Sequence, residues 1–171
     1  ESQLPKTLQV TVDSVANIDD YEQPLKVEYS IKGSLGTVTG KRLVLPVDVF
    51  VMEDKPVFPH ATRTQAVYFH YPELVRDATR INFPAGMTVE AAPASSTAAI
   101  KGRSAYSLDI TSAPTSITVR RSFAYNDIIF NRDEYPELRN FYSQLETKDH
   151  DSVVLKSSAT APAASTPAGG N

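Results

Sequence analysis

The chain has 171 residues, 41% of them hydrophobic and 22% charged, the balance of one ordinary globular domain with room for a real core. A net charge of -3 gives no electrostatic footprint for nucleic acid or an anionic membrane surface, and no apolar run approaches the ~18 residues that span a bilayer. The absence of cysteine excludes disulfides, thiolate zinc sites and a cysteine nucleophile within these residues.

The chain opens on Glu1 rather than Met and shows no signal peptide, which reads as a fragment or a mature product. From Thr7 to Asp13 apolar and polar residues alternate, so Leu8, Val10 and Val12 share one face of a strand. Asn17, Asp19 and Asp20 mark a turn. Pro24 to Ile31 alternates again, with Leu25, Val27, Tyr29 and Ile31 inward. Gly33, Gly36 and Gly40 supply turns; no helix follows them, so they are neither a phosphate loop nor a dinucleotide fingerprint. Arg42 to Val51 is apolar and β-branched but interrupted by Pro46, which cannot donate to a ladder, and Glu53 to Pro59 reads as a loop.

Gln65 to Tyr71 is the next strand, with Val67, Phe69 and Tyr71 on one face. Further strands are expected at Ala78 to Phe83, Met87 to Ala91, Ala99 to Lys101, Ser104 to Ile110, Ser116 to Tyr125 and Val153 to Leu155. Between them stand turn residues such as Pro84-Ala85-Gly86, Pro93-Ala94-Ser95-Ser96, Gly102 and Ser112-Ala113-Pro114. Short strands at regular spacing predict an all-β fold, an antiparallel sandwich that is immunoglobulin-like or related.

One segment has a different period. Tyr135, Leu138, Phe141, Tyr142 and Leu145 form a single stripe of a helix over about 132–148. Asn131 and Glu134 have capping-box spacing, Pro136 falls in the first turns, and Asp133, Glu134 and Glu137 suit the N-terminal end as Lys148 and His150 suit the C-terminal end. The tetrapeptide Tyr-Pro-Glu-Leu occurs here and at Tyr71-Pro72-Glu73-Leu74. Its flanks differ: the first copy is expected to close a strand and open a loop, the second to begin the helix, so the match is no duplication. Leu138, Phe141, Tyr142 and Leu145 are expected to dock the helix on the sheet. The domain should run over 5–156. From Ser157 to Asn171 only Ser, Ala, Thr, Pro, Gly and Asn occur, too little apolar surface to offset about 1–2 kcal/mol per residue of backbone ordering, so 157–171 should be a disordered tail.

The order and spacing of Pro24-Leu25-Lys26-Val27, Gly40-Lys41-Arg42-Leu43, Leu45-Pro46, Arg63 to Phe69, Tyr71-Pro72, Asp77, Phe83-Pro84-Ala85-Gly86, Arg121, Glu134-Tyr135, Leu138 to Tyr142, Asp149 and Val153-Val154-Leu155 add a resemblance. From about Thr7 to Leu155 the chain resembles the C-terminal β-rich domain of an uncharacterised family of bacterial multidomain proteins. In that family an N-terminal β domain and a transglutaminase-like domain of papain-type fold come first. The resemblance implies a periplasmic or extracellular setting and a partner in the transglutaminase-like domain of the same polypeptide. It also implies that catalytic residues lie in that other domain. None can be carried over to this chain.

The residues themselves show little chemistry. His60, His70 and His150 are far apart and lack metal-motif spacing; His70 lies on the face opposite Val67 and Phe69 and should be exposed. No Gly-x-Ser-x-Gly elbow occurs. Asp19-Asp20, Glu53-Asp54 and Asp133-Glu134 are adjacent acids, whereas calcium needs six to eight converging oxygens. No catalytic, cofactor or metal residue is assigned. Arg121 is different, because its strand phase puts it on an apolar face, where a guanidinium needs a partner. Asp77 and Glu134 are the candidates, pairing sheet to helix. Tyr68, Tyr106 and Tyr125 are the aromatics whose exposure would decide for a glycan site.

Three functions remain open. A non-catalytic accessory domain, packing on the papain-fold domain or presenting substrate to it, predicts an exposed apolar patch that the other domain covers. An independent glycan- or peptide-binding module predicts a groove with exposed Tyr or an open sheet edge. An enzyme in its own right predicts converging titratable groups in a pocket. The accessory reading leads, with no enzyme activity, no cofactor, no nucleic acid and no membrane insertion in this chain.

Overall fold

The computed structural model describes residues 8–48, 50–51 and 55–157. In chain order the strands are β1 (Gln9–Ala16), β2 (Lys26–Lys32), β3 (Thr37–Thr39), β4 (Arg42–Pro46), β5 (Val67–Tyr68), β6 (Glu73–Asn82), β7 (Met87–Ala91), β8 (Ser96–Ile100), β9 (Ser104–Ala113), β10 (Ser116–Tyr125) and β11 (Ile129–Phe130). A 3-10 turn (Arg132–Glu134), helix α1 (Tyr135–Asp149) and β12 (Ser152–Ser157) follow.

Every pairing is antiparallel, and the sheets are open. One four-stranded sheet has the order β6-β10-β9-β8 and the other β3-β4-β12-β7, while among the described residues β1 and β2 form a two-stranded sheet, as do β11 and β5. A single buried cluster joins Leu45, Val153 and Leu155 of one large sheet to Tyr106, Leu108, Ile117, Val119 and Phe123 of the other. Leu138, Phe141, Tyr142 and Leu145 of α1 complete it. The fold is the antiparallel sandwich with a C-terminal helix that the alternation predicts.

Local chemistry sets the joints. Asn17 takes a left-handed conformation (φ 62) after β1, and its amide donates to the Pro24 carbonyl at 2.9 Å. Gly40 (φ 62) makes the β3–β4 turn, and a Cβ on Gly36 would stand 2.5 Å from the Val44 carbonyl oxygen. At the helix entrance the Glu134 carboxylate accepts the Asn131 N–H at 2.7 Å.

Several boundaries differ from the sequence reading. The helix proper begins at Tyr135 rather than 132, because the capping segment closes a 3-10 turn first. β4 stops at Pro46, and the strand expected from Gln65 to Tyr71 shrinks to Val67–Tyr68. Glu73 and Leu74 of the first Tyr-Pro-Glu-Leu open β6; the proline lacks a donor, and pairing starts just after it. β8 begins at Ser96, inside the expected separator. β3 and β11 are too short to show a period. The larger correction concerns β2. Val27 and Tyr29 do not face the core, and neither do Val10 and Val12 of β1: each is 43–60% exposed. Glu53-Asp54 and 158–171 lie outside the described residues, while Ser157 ends β12.

Candidate functional site

β10 turns Ile117, Val119, Arg121, Phe123 and Tyr125 to one side, and this places a guanidinium in the core. Arg121 lies directly opposite Asp77 of β6 and Leu108 of β9. Its Nε and Nη2 donate to the two carboxylate oxygens of Asp149 at 3.0 and 2.9 Å, a bidentate fork. Nη1 reaches Asp77 Oδ2 at 3.4 Å. The Tyr106 hydroxyl donates to Asp149 Oδ1 at 2.7 Å. Asp149 is the last residue of α1, so the fork fastens the end of the helix to the sheet. Side-chain exposure is 12% for Arg121 and 8% for Asp149, so the pair is largely buried, and breaking it leaves a poorly compensated charge.

Burial drives the Tyr106 hydroxyl far above the ordinary phenol range, and its bond to Asp149 adds to the effect. Tyr106 therefore serves as a neutral donor. Asp48 is a second buried acid; it accepts the Phe50 N–H at 2.9 Å. Desolvation pushes its carboxyl up, against that hydrogen bond and the charge of Arg121.

Of the two acids named beside Arg121, Asp77 is in contact and Glu134 is not. Glu134 pairs with Arg103, which also pairs with Asp127, donates to the Ile129 carbonyl at 2.7 Å and lies over the Phe130 ring at 4.0 Å. The Asn131 N–H and then Arg103 hold the Glu134 carboxyl below its usual range. Asp149, the main partner of Arg121, is absent from the sequence pairing. The signal was there: it follows Leu138, Tyr142 and Leu145 on the same helical stripe.

The four helix-docking residues Leu138, Phe141, Tyr142 and Leu145 are all buried. Phe58, in the segment read as a loop, stands edge-on to Tyr135 and Tyr142 at ring distances of 5.8 and 4.8 Å. His60, His70 and His150 are exposed; His70 stands edge-on to Tyr68 at 5.3 Å. Tyr68 is exposed, while Tyr106 and Tyr125 are buried. Asp19, Asp20 and Asp133 are exposed, and among the described residues no group of three or more His, Asp or Glu is placed to hold a metal ion.

The β1–β2 hairpin is the most unusual surface. Its register opposes Val10 to Ile31, Val12 to Tyr29 and Val15 to Val27. A bulge between Val12 and Ser14 restores the phase, so all six side chains share one face. The other face carries Gln9, Thr11, Ser14, Glu28, Ser30 and Lys32. It is tied by Ser14 to Glu28 (2.9 Å), Ser30 to Asp13 (2.7 Å) and Lys26 to Glu28 (2.7 Å). The apolar face touches the body where Tyr29 meets Phe50 edge-on at 6.3 Å.

Residues 41–155 match the model of a family described as a domain of unknown function with a solved structure, DUF3858. A similar fold occurs in the crystal structure of a "putative protease" from Parabacteroides distasonis, at 15% identity and a TM-score of 0.50. The likeness covers 57% of this chain and 19% of that one, and at this identity it concerns the fold. No curated protein matches the chain.

Proposed function

The chain belongs to the DUF3858 family of domains of unknown function, and from that premise we propose that it is a non-catalytic accessory β-sandwich of a larger bacterial envelope or secreted protein. It packs on a transglutaminase-like, papain-fold domain of the same polypeptide, or presents substrate to it. The observation that carries this reading is the apolar hairpin face. A two-stranded hairpin is marginal in water and needs a third strand or a packed face to hold it. Here six apolar side chains line one side, and Val10, Val12, Val15, Val27 and Tyr29 are all 43–60% exposed. Scattered exposed valines are ordinary, but a contiguous row backed by a mostly polar face fits a surface that another protein covers.

Two further facts favour a covalently linked neighbour. The hairpin lies outside the matched residues 41–155, as β3 does, so it extends from the family domain. The solved neighbour is far longer than the part it shares with this chain, which is 19% of its length.

The test is hydrogen exchange on the amides of 9–32, compared between this chain and its parent polypeptide. Slower exchange in the parent is the expected result. Equal exchange in both overturns the docking. A reading frame without a Cys–His–Asp domain of papain type overturns the identity of the partner.

A further inference from the structure

The sheet β6-β10-β9-β8 buries one face, and the other meets solvent, as antiparallel sheets allow. On β10 the phase that sends Arg121 inward sends Arg120 and Ser122 outward. Arg120 stands opposite Ala78 of β6 and Asp109 of β9, and Ser122 stands opposite Arg76 and Ser107. Arg80 of β6 stands opposite Thr118. Arg76 and Arg80 thus flank Ala78, the residue facing Arg120, and three guanidinium side chains surround one methyl group. Several of these residues line a shallow cavity of about 350 Å³, walled by Arg76, Asp77, Ala78, Ser107, Asp109, Arg120, Arg121 and Ser122, with Asp77 engaged by Arg121.

Three like charges on diagonal neighbours, about 7–8 Å apart at Cα, oppose the sheet that carries them. Edge protection accounts for Arg76 and Arg80, because β6 is an outer strand and charge there discourages edge-to-edge pairing. It does not account for Arg120, which sits on β10 between β6 and β9. Nor are the charges neutralised. Among the described residues the side chains of Arg76 and Arg120 make no hydrogen bond or ion pair, and neither does Asp109. Arg80 makes one long bond, 3.4 Å, to Ser116 Oγ. Two free guanidinium forks and two serine hydroxyls therefore line one hollow, with Asp109 as its one unpaired carboxylate among the described residues, in a chain whose net charge is -3.

We propose that this outer face binds an oxyanion, a carboxylate or a phosphate, gripped by Arg76 and Arg120 with Ser107 and Ser122 as hydroxyl donors. Guanidinium matches the planar or tetrahedral oxygens of such groups in a fork. Thr97, Thr111 and Thr118 share this outward face by register and suit an extended polar ligand that carries the charge, such as an acidic glycan or a phosphorylated polymer. Asp109 sets a limit on charge, because it repels an anion placed against Arg120. The inference rests on this face alone and is independent of the hairpin.

The test is an NMR titration of the 171-residue chain with sodium phosphate, sodium glucuronate and, as a neutral control, glucose. The expected result is a saturable millimolar shift of Arg76 and Arg120 Nε signals with one or both anions and none with glucose. Phosphate alone assigns a phosphorylated ligand, glucuronate alone an acidic glycan, and both together the shared oxyanion chemistry. Arg120→Gln should weaken binding by about tenfold, the loss of one charge-assisted pair. Asp109→Asn should tighten it, and Arg132→Gln, the same charge change at a distant exposed site, should leave it unchanged. Loss of binding that is equal in R120Q and R132Q, or an absence of any saturable shift, overturns the proposal.

Discussion

The β1–β2 hairpin and helix α1 both carry a continuous apolar stripe, yet they meet opposite fates. Helix α1 buries Leu138, Phe141, Tyr142 and Leu145 in the common core. The hairpin leaves Val10, Val12, Val15, Val27 and Tyr29 in water. Periodicity defines which side of an element is apolar; it does not define what covers that side. The helix finds its cover inside the chain, because its last residue, Asp149, is forked to Arg121 in the middle of the sheet. The hairpin touches the body where Tyr29 meets the Phe50 ring edge-on, which anchors one corner of it.

The sharpest way to break the comparison is at the helix. Phe141 is 3% exposed and stacks near Phe123 at 6.3 Å. Removing a buried Phe side chain costs about 3–5 kcal/mol, and a carboxylate in its place adds a desolvation penalty. Against a usual total of about 5–15 kcal/mol, Phe141→Asp is expected to leave the chain largely unfolded at room temperature by circular dichroism. An unchanged melting temperature would mean that the helix is not docked.

The second effect is at the clamp. Asp149→Asn leaves the buried Arg121 with the long Asp77 contact at 3.4 Å as its remaining ion pair among the described residues, and breaking such a pair costs about 3–5 kcal/mol. The double variant Arg121→Met with Asp149→Leu should recover most of that loss, since well-packed apolar replacements of buried pairs are often neutral. Urea midpoints of the three proteins check this. If the double variant is no better than the single one, the fork is an irreplaceable source of stability rather than a solution to the burial of one arginine.

These two variants bear on how much the sequence shows. Alternation bounded by Gly and Pro gave β7 and β10 their exact limits, Met87–Ala91 and Ser116–Tyr125. The same phase on β10 exposed the need for a partner at Arg121. The choice of partner was not legible, because three acids satisfy the charge requirement and only the packing of α1 decides that Glu134 meets Arg103 and Asp149 meets Arg121. Likewise Phe58 sits between prolines and looks like loop, but a loop that crosses an aromatic core contributes to it. The oxyanion face had half a signal: Arg120 must point away from Arg121, but bringing it beside Arg76 requires the β6–β10 register.

A third, smaller effect separates the clamp from its neighbour Asp48. Burial raises the Asp48 carboxyl above its unfolded value, so the folded chain holds its proton more tightly. Its contribution is therefore present at low pH and lost as pH rises through the folded value. Asp48→Asn should make the chain more stable than the parent at neutral pH, with the difference closing as pH falls below the ordinary aspartate range. The opposite trend would show that Arg121 dominates the environment of Asp48.

The smallest effect on this chain is expected at the hairpin, and it carries the most information. Val12 is 60% exposed, and Thr is also β-branched, so Val12→Thr keeps strand propensity and removes apolar surface. A substitution at such a site changes stability by about 0.5 kcal/mol or less. The urea midpoint of this chain should therefore hardly move. In the parent polypeptide the same change should loosen the hairpin, read as faster amide exchange over 9–32, because there the valine is covered. A large loss in this chain alone would mean that the hairpin face is already buried, with a second copy of the chain as the available cover. A concentration-dependent sedimentation coefficient would then identify that copy and overturn the intramolecular reading. The pair of measurements separates a face that waits for its own polypeptide from one that has already found another.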